Sequence, residues 1–140
     1  PIPPQSYSLY FGWLILELLR GRGSRVILKW PNDLYLIGAG KVGGVLTSVG
    51  RRGGRKFLVA GIGINTSKPV PPFPRLDIPV KNREIVEGFI GRVERPPRWE
   101  EVFRKYRREF YLYRGILGIE GELTEVGELK IGAEVRGGWR

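Results

Sequence analysis

Apolar residues run from Leu9 to Leu19 with few interruptions, which predicts a helix buried on most sides. Ser6 or Ser8 stands where an N-cap belongs, and Gly21-Arg22-Gly23 ends the helix. A strand follows over Arg25–Trp30, with Val26-Ile27-Leu28 as its buried part. Pro31 cannot donate to a ladder, so that strand stops or bulges there, and Asn32-Asp33 mark a sharp turn. The chain re-enters an apolar run over Leu34–Ile37, turns on Gly38-Ala39-Gly40, and continues as a strand over Val42–Val49. Gly50–Arg55 reads as a hairpin turn into a partner strand over Lys56–Ile64.

The second half changes character. Thr66–Pro79 is rich in proline and predicts an ordered surface loop. Asn82–Val93 is a weakly amphipathic helix, broken by Pro96-Pro97. Trp99, Val102, Phe103, Tyr106 and Phe110 recur at three- and four-residue steps, the stripe of a second amphipathic helix. From Gly115 onward short apolar and charged groups interleave, predicting two or three short strands.

Composition narrows the chemistry. A chain of 140 residues with 41% hydrophobic and 11% aromatic content fits one globular domain, with room for a small appendage. The run Tyr10–Leu19 is too short to span a bilayer, and no secretory leader is evident, so a soluble cytoplasmic protein without a membrane partner is expected. Cysteine and histidine are absent, which excludes disulfides, thiolate nucleophiles, zinc–cysteine sites and any imidazole base. Chemistry must then run on Lys, Arg, Asp, Glu, Tyr or backbone. A formal charge of +10 favours anionic partners without choosing among nucleic acid, phosphates, membranes and acidic proteins. The Gly50–Arg55 tip and the Arg104, Lys105, Arg107 and Arg108 helix face read first as solvated surface.

The residues suited to chemistry gather around the first turn. Lys29, Asn32 and Asp33 place an amine, an amide and a carboxylate at one strand corner, and Lys41, Gly43 and Gly44 open the next strand. Gly61 and Gly63 alternate in the strand beyond; glycine there marks close approach of a ligand or of another backbone. Gly38–Gly43 fits G-x-G-x-x-G, but it leads into β-branched sequence rather than a helix, so a dinucleotide fold is rejected. The arrangement suits a small anionic ligand whose phosphate needs a lysine and whose body lies on bare backbone.

Lys29-Trp30-Pro31-Asn32-Asp33-Leu34-Tyr35-Leu36, then Lys41-x-Gly43-Gly44-Val45-Leu46, then Val59-Ala60-Gly61-Ile62-Gly63-Ile64-Asn65 resemble the signature series of biotin–protein ligases, in that family's order and spacing. The resemblance implies an α+β fold: a mixed, mostly antiparallel sheet backed by helices over residues 1–114, and a short C-terminal β-module over 115–140. It implies ATP-dependent activation of biotin as biotinyl-5′-AMP, with Mg2+, and transfer to a lysine of a biotin carboxyl carrier protein. By resemblance, Lys41 contacts the biotin carboxylate and the α-phosphate; Gly43, Gly44, Gly61 and Gly63 lie along the biotin ring; Asn32 and Asp33 face the adenylate, Asp33 also being the candidate metal ligand; Asn65 lies near the phosphates, and Lys29 beside the adenylate.

Two departures stand out. Thr47-Ser48 occupy the place where the family usually carries an acidic residue, and the family's arginine- and glycine-rich adenylate loop lies upstream of anything matching Pro1. The chain therefore resembles the C-terminal part of a ligase catalytic domain, with nucleic acid reached only through a domain not in this chain. An exposed sheet edge leaves self-pairing, and so a homodimer, open. Two alternatives follow. One is a truncated relative that binds biotin or adenylate without turnover. The other is a basic nucleic-acid-binding module, whose affinity falls steeply with salt and in which Lys41 matters no more than any arginine.

Overall fold

The apolar run near the N-terminus forms α1 (Tyr7–Arg20), a helix with ten residues buried, from Ser8 to Leu19. The computed structural model describes residues 1–67 and 71–138. Neither serine caps the helix. The Ser6 hydroxyl donates to the Val126 carbonyl instead, and Ser8 Oγ shares a hydrogen bond of 2.8 Å with Thr47 Oγ1. Both hydroxyls serve tertiary contacts because the helix start is buried, where a side chain has partners other than its own backbone. Gly21 closes the helix, and Gly23, at φ +98°, turns the chain away.

Four strands follow, β1 (Ile27–Lys29), β2 (Asp33–Leu36), β3 (Gly40–Arg52) and β4 (Arg55–Ile64), in the spatial order β1-β2-β3-β4. Every pairing is antiparallel among the described residues, in keeping with the mostly antiparallel, helix-backed sheet expected. The β3–β4 hairpin turns on two residues, Gly53 and Gly54, at φ +58° and +76°. Two consecutive positive φ values match the twist of the flanking strands, and glycine supplies them without strain. The neighbouring arginines therefore extend the strands, with Arg52 opposite Arg55.

One face of the sheet is covered. Leu34, Leu36 and Val42 share the core of α1 and Val45 is fully buried, while Leu28 meets Gly12, where a side chain on the helix would crowd the strand. Two further helices, α2 (Asn82–Glu94) and α3 (Trp99–Leu117), lie on the same side. The bidentate Arg20–Glu109 pair, both contacts at 2.6 Å, joins α1 to α3. The expected Thr66–Pro79 loop includes residues 68–70, which lie outside the described residues; beyond them Leu76 returns to the core. The C-terminal strands β5 (Glu122–Leu123), β6 (Leu129–Ile131) and β7 (Glu134–Arg136) form a second antiparallel sheet. It docks beside the first strand corner through Trp30 Nε1, which donates to the Gly127 carbonyl at 3.0 Å. Trp139 and Arg140, the end of the expected C-terminal module, lie outside the described residues. Among the described residues no helix is long and apolar enough to cross a membrane.

The α1–α3 contact holds a cost. Trp13 and Tyr106 pack edge to face at 6.1 Å, and neither Trp13 Nε1 nor the Tyr106 hydroxyl has a hydrogen-bond partner. Burial, reinforced by the Glu109 charge, pushes the Tyr106 phenol far above its ordinary range, so it stays neutral. A buried donor without a partner costs about 1–3 kcal/mol. Tyr106→Phe keeps the ring and removes that group, so it should raise the urea midpoint, by up to about 1 kcal/mol of stability. A loss of stability would mean that the hydroxyl is satisfied in solution.

Candidate functional site

The site lies on the sheet face that the helices leave open. Alternation along β2 sends Leu34 and Leu36 into the core and Asp33 and Tyr35 to the other side. Register carries that side across the sheet: Lys29, Asp33, Gly44 and Gly63 form one cross-strand row through all four strands, and Leu46 and Gly61 form the next. Two of the four positions in the first row lack a side chain, so the sheet presents backbone as a floor.

Lys41 reaches this face through a bulge. Asp33 pairs with Gly44 and Leu34 with Gly43, but Tyr35 pairs with Lys41, so Val42 is an extra residue on β3. In an uninterrupted ladder Lys41 would oppose Leu36 and point into the core. The extra residue instead buries Val42 completely and sets Lys41 opposite Tyr35, on the face of Asp33. Bulges often re-aim a side chain beside a functional site. Lys41 Nζ lies 3.3 Å from Asp33 Oδ1, both side chains being partly exposed. An ion pair so exposed is worth about 0–1 kcal/mol, so Lys41 can leave Asp33 for an anionic ligand at little cost.

The strand corner is fixed by Asn32, which is only 5% exposed. Its side-chain amide donates to the Val45 carbonyl at 2.7 Å, and its own carbonyl accepts from the Val45 N–H at 3.1 Å. Asn65 does the same work at the other end of the cleft. Its backbone N–H donates to the Val42 carbonyl at 2.8 Å and its carbonyl accepts from the Leu76 N–H at 2.7 Å. Its side-chain amide donates to the Pro74 carbonyl at 3.1 Å. These bonds fold the proline-rich loop back over the sheet and bring Phe73 to the cleft.

The result is a hollow of about 620 Å³ lined by Asn32, Asp33, Lys41, Gly43, Gly44, Gly61, Gly63 and Asn65, together with Val45, Leu46, Ile62 and Phe73. Eight of the nine residues singled out from the sequence thus meet in one place. Lys29 stands in the same cross-strand row, but its ammonium lies 5.2 Å from the Tyr35 ring centre, outside the lining. Phe73 was not anticipated; its only signal is an aromatic residue set among prolines at Pro71-Pro72-Phe73-Pro74. A larger hollow of about 980 Å³ lies on the helical side, but ionic groups there are committed to one another, as in Arg20–Glu109 and Lys105–Glu17. Size does not make it the better candidate.

A sheet floor of bare backbone beside one lysine and one carboxylate suits a flat, anionic ligand. A sequence model of the biotin/lipoate A/B protein ligase family matches residues 3–65. The bifunctional ligase/repressor BirA of Salmonella typhimurium is 43% identical over 60 residues, 41% of this chain and 18% of BirA. Biotin–protein ligase 2 of Arabidopsis thaliana is 51% identical over 47 residues, 33% of this chain and 14% of that protein. The biotin acetyl coenzyme A carboxylase synthetase of Helicobacter pylori, crystallised with biotinylated ATP, matches at a TM-score of 0.80 with 36% identity, covering 97% of this chain and 66% of its own. The chain belongs to the biotin–protein ligase family. It spans just under two thirds of the Helicobacter pylori protein's length, and the matched segment is less than a fifth of BirA.

The glycines of the cleft have different reasons to be glycine. A Cβ on Gly43 would collide with the Gly63 carbonyl, whereas a Cβ on Gly63 would stand in open space within the cleft. Gly43→Ala should therefore lose about 1–3 kcal/mol of stability in urea denaturation, while Gly63→Ala should change it by less than about 1 kcal/mol. Equal losses would mean that both glycines serve backbone packing.

Proposed function

We propose that this chain carries the biotin- and adenylate-binding part of an ATP-dependent ligase that joins biotin to a lysine of a biotin carboxyl carrier protein. The observation that carries the reading is the row Asp33–Gly44–Gly63 with Lys41 beside it, in a chain 36% identical to a synthetase crystallised with biotinylated ATP.

The chemistry has two balanced steps. A biotin carboxylate oxygen attacks the α-phosphorus of ATP, and pyrophosphate leaves with the electron pair of the broken P–O bond. The amine of the carrier lysine then attacks the acyl carbon, loses a proton, and AMP departs. The first step brings two anions together. Lys41, turned from Asp33, supplies the positive charge between them, a placement more effective in a cleft than in bulk water. Gly44, Gly61 and Gly63 let the fused ring of biotin lie on the strands with its polar edge against backbone. Gly43 keeps β3 and β4 close enough to make that floor. Asn32 and Asn65 hold the two ends of the cleft in place, and the apolar Leu46 helps keep water from the reactive anhydride.

No cluster of three carboxylate, histidine or cysteine side chains exists among the described residues. Mg2+ commonly binds through one or two carboxylates and substrate phosphates, and Asp33 fits as a single protein ligand of that kind. The ion's contribution there is to offset phosphate charge. Lys29, held over Tyr35, adds to the positive potential at the rim.

Isothermal titration of the chain with biotinyl-5′-AMP tests the reading. We expect saturable binding, weakened about ten-fold or more by Lys41→Ala, or about 1.4 kcal/mol. Gly63→Val should block binding while leaving the fold intact, because its side chain would occupy the ring site. A folded wild-type chain that does not bind the adenylate refutes the proposal. Adenylate binding without transfer to a carrier protein would limit the function to the ligand-holding half of the reaction.

A further inference from the structure

We propose that the groove between α3 and the C-terminal sheet binds single-stranded nucleic acid through its phosphates, at a place separate from the ligand cleft.

Two stripes run along α3. The apolar one, through Trp99, Val102, Tyr106 and Phe110, joins the core. The other, at the same three- and four-residue steps, is Arg104, Arg107, Arg108, Tyr111 and Arg114. Arg104, Arg107 and Arg108 are exposed and have no ion-pair partner among the described residues, whereas Lys105 beside them is committed to Glu17 and Glu101. Like charges at these spacings destabilise a helix, so α3 itself gains nothing from the basic stripe.

The stripe lines a concavity and not a ridge. A hollow of about 730 Å³ is walled by Arg104, Lys105, Arg107, Arg108, Tyr111 and Glu122. A second, of about 430 Å³, is walled by Arg114, Glu122 and Lys130 with Gly121 and Gly132. Glu122 lines both, and Arg114 of the second lies over the Tyr111 ring of the first at 4.7 Å, so the two form one groove. Its walls hold six cations and one carboxylate, and that carboxylate, Glu122, stands opposite Lys130 in the sheet. None of these residues lines the cleft of Lys41.

The arginines nearest the sheet are held before any ligand arrives. Arg107 lies over the Tyr111 ring at 5.1 Å, and Arg114 donates to the Gly121 carbonyl at 2.7 Å. The Tyr111 hydroxyl in turn accepts from the Leu123 N–H at 3.1 Å. A guanidinium fixed in this way loses less freedom on binding, and its planar fork matches phosphate oxygens. Arg104 to Arg114 covers roughly 15 Å of helix. A nucleic-acid strand supplies a negative charge at every residue along such a length, whereas a peptide would have to be acidic almost throughout. Cationic grooves of this kind track the backbone of a flexible single strand; a duplex would meet only the rims.

Fluorescence anisotropy of a short labelled oligothymidylate with the full chain, over a series of salt concentrations, tests the site. Wild type should bind it more tightly than a duplex of the same length. Arg104→Gln/Arg107→Gln/Arg108→Gln should weaken binding about ten-fold or more at low salt and flatten the slope of log K against log salt by about 2, at roughly 0.7 per phosphate contact. Arg51→Gln/Arg52→Gln/Arg55→Gln, which takes the same charge from the exposed β3–β4 hairpin, should weaken it less than about three-fold. Thermal melts check that both variants fold, and Arg107→Gln alone, with a slope change of about 0.7, serves if the triple variant does not. Equal weakening by the two triple variants overturns the proposal, because net charge alone would then account for binding. So do an absence of binding at low salt and a preference for the duplex. Poly-glutamate that displaces the strand as well, charge for charge, as unlabelled oligothymidylate would assign the groove to an acidic protein and overturn it too.

Discussion

Two hydrogen bonds between Asn32 and Val45 hold the site together. They tie the corner between β1 and β2 to the middle of β3, and so fix Asp33 relative to Gly44 and, through the next ladder, to Gly63. The tie is buried, so breaking it would leave polar groups without water to replace their partners. On the other side of the sheet, α1 sets the depth of the same strands, with Ser8 bonded to Thr47 and Val42 and Val45 sunk into the core. The open face can therefore be nearly bare of side chains and still keep its shape. Its rigidity is supplied from behind.

Electrostatics divides the molecule in a similar way. The chain carries 24 Lys and Arg against 14 Asp and Glu, yet several carboxylates are committed to contacts between elements: Glu109 with Arg20, Glu17 with Lys105, Glu84 with Arg22. Glu84 also accepts from the Lys81 backbone N–H at the start of α2, which together with Arg22 holds its carboxyl below the usual carboxylate range. In the cleft the only ion pair among the described residues is Lys41–Asp33, and it is exposed enough to exchange. Fixed charges build the scaffold, and the ion pair that lines the cleft is one that can exchange.

Much of this was legible in the sequence. The apolar run of α1, the aromatic stripe of α3 and the glycine turn between β3 and β4 follow from periodicity and backbone preference, and all stand where expected. The cleft was legible because its residues are clustered along a short stretch that the sheet folds onto itself. The misses have local causes. Ser6 and Ser8 have the chemistry of caps, but which acceptor a hydroxyl finds depends on segments 39 and 120 residues away. Lys29 stands in the cross-strand row of Asp33, and that its long side chain turns to Tyr35 is a choice of rotamer that the sequence does not disclose. Phe73 could not be placed because the path of its loop depends on three hydrogen bonds to Asn65, and sequence alone does not say where a proline-rich loop returns.

The bulge at Val42 gives the spacing of the Lys41-Val42-Gly43-Gly44 segment a meaning beyond the identity of its residues. A strand has a two-residue phase, and the extra residue resets it between the amine and the glycines. Chain length in this segment thus decides on which side of the sheet the amine emerges. Removing or adding one residue between Gly40 and Gly44 would invert that phase and send an intact lysine into the apolar interior. An alignment of related chains should on this ground tolerate changes of side chain at position 42, provided they are apolar, far better than any gap there.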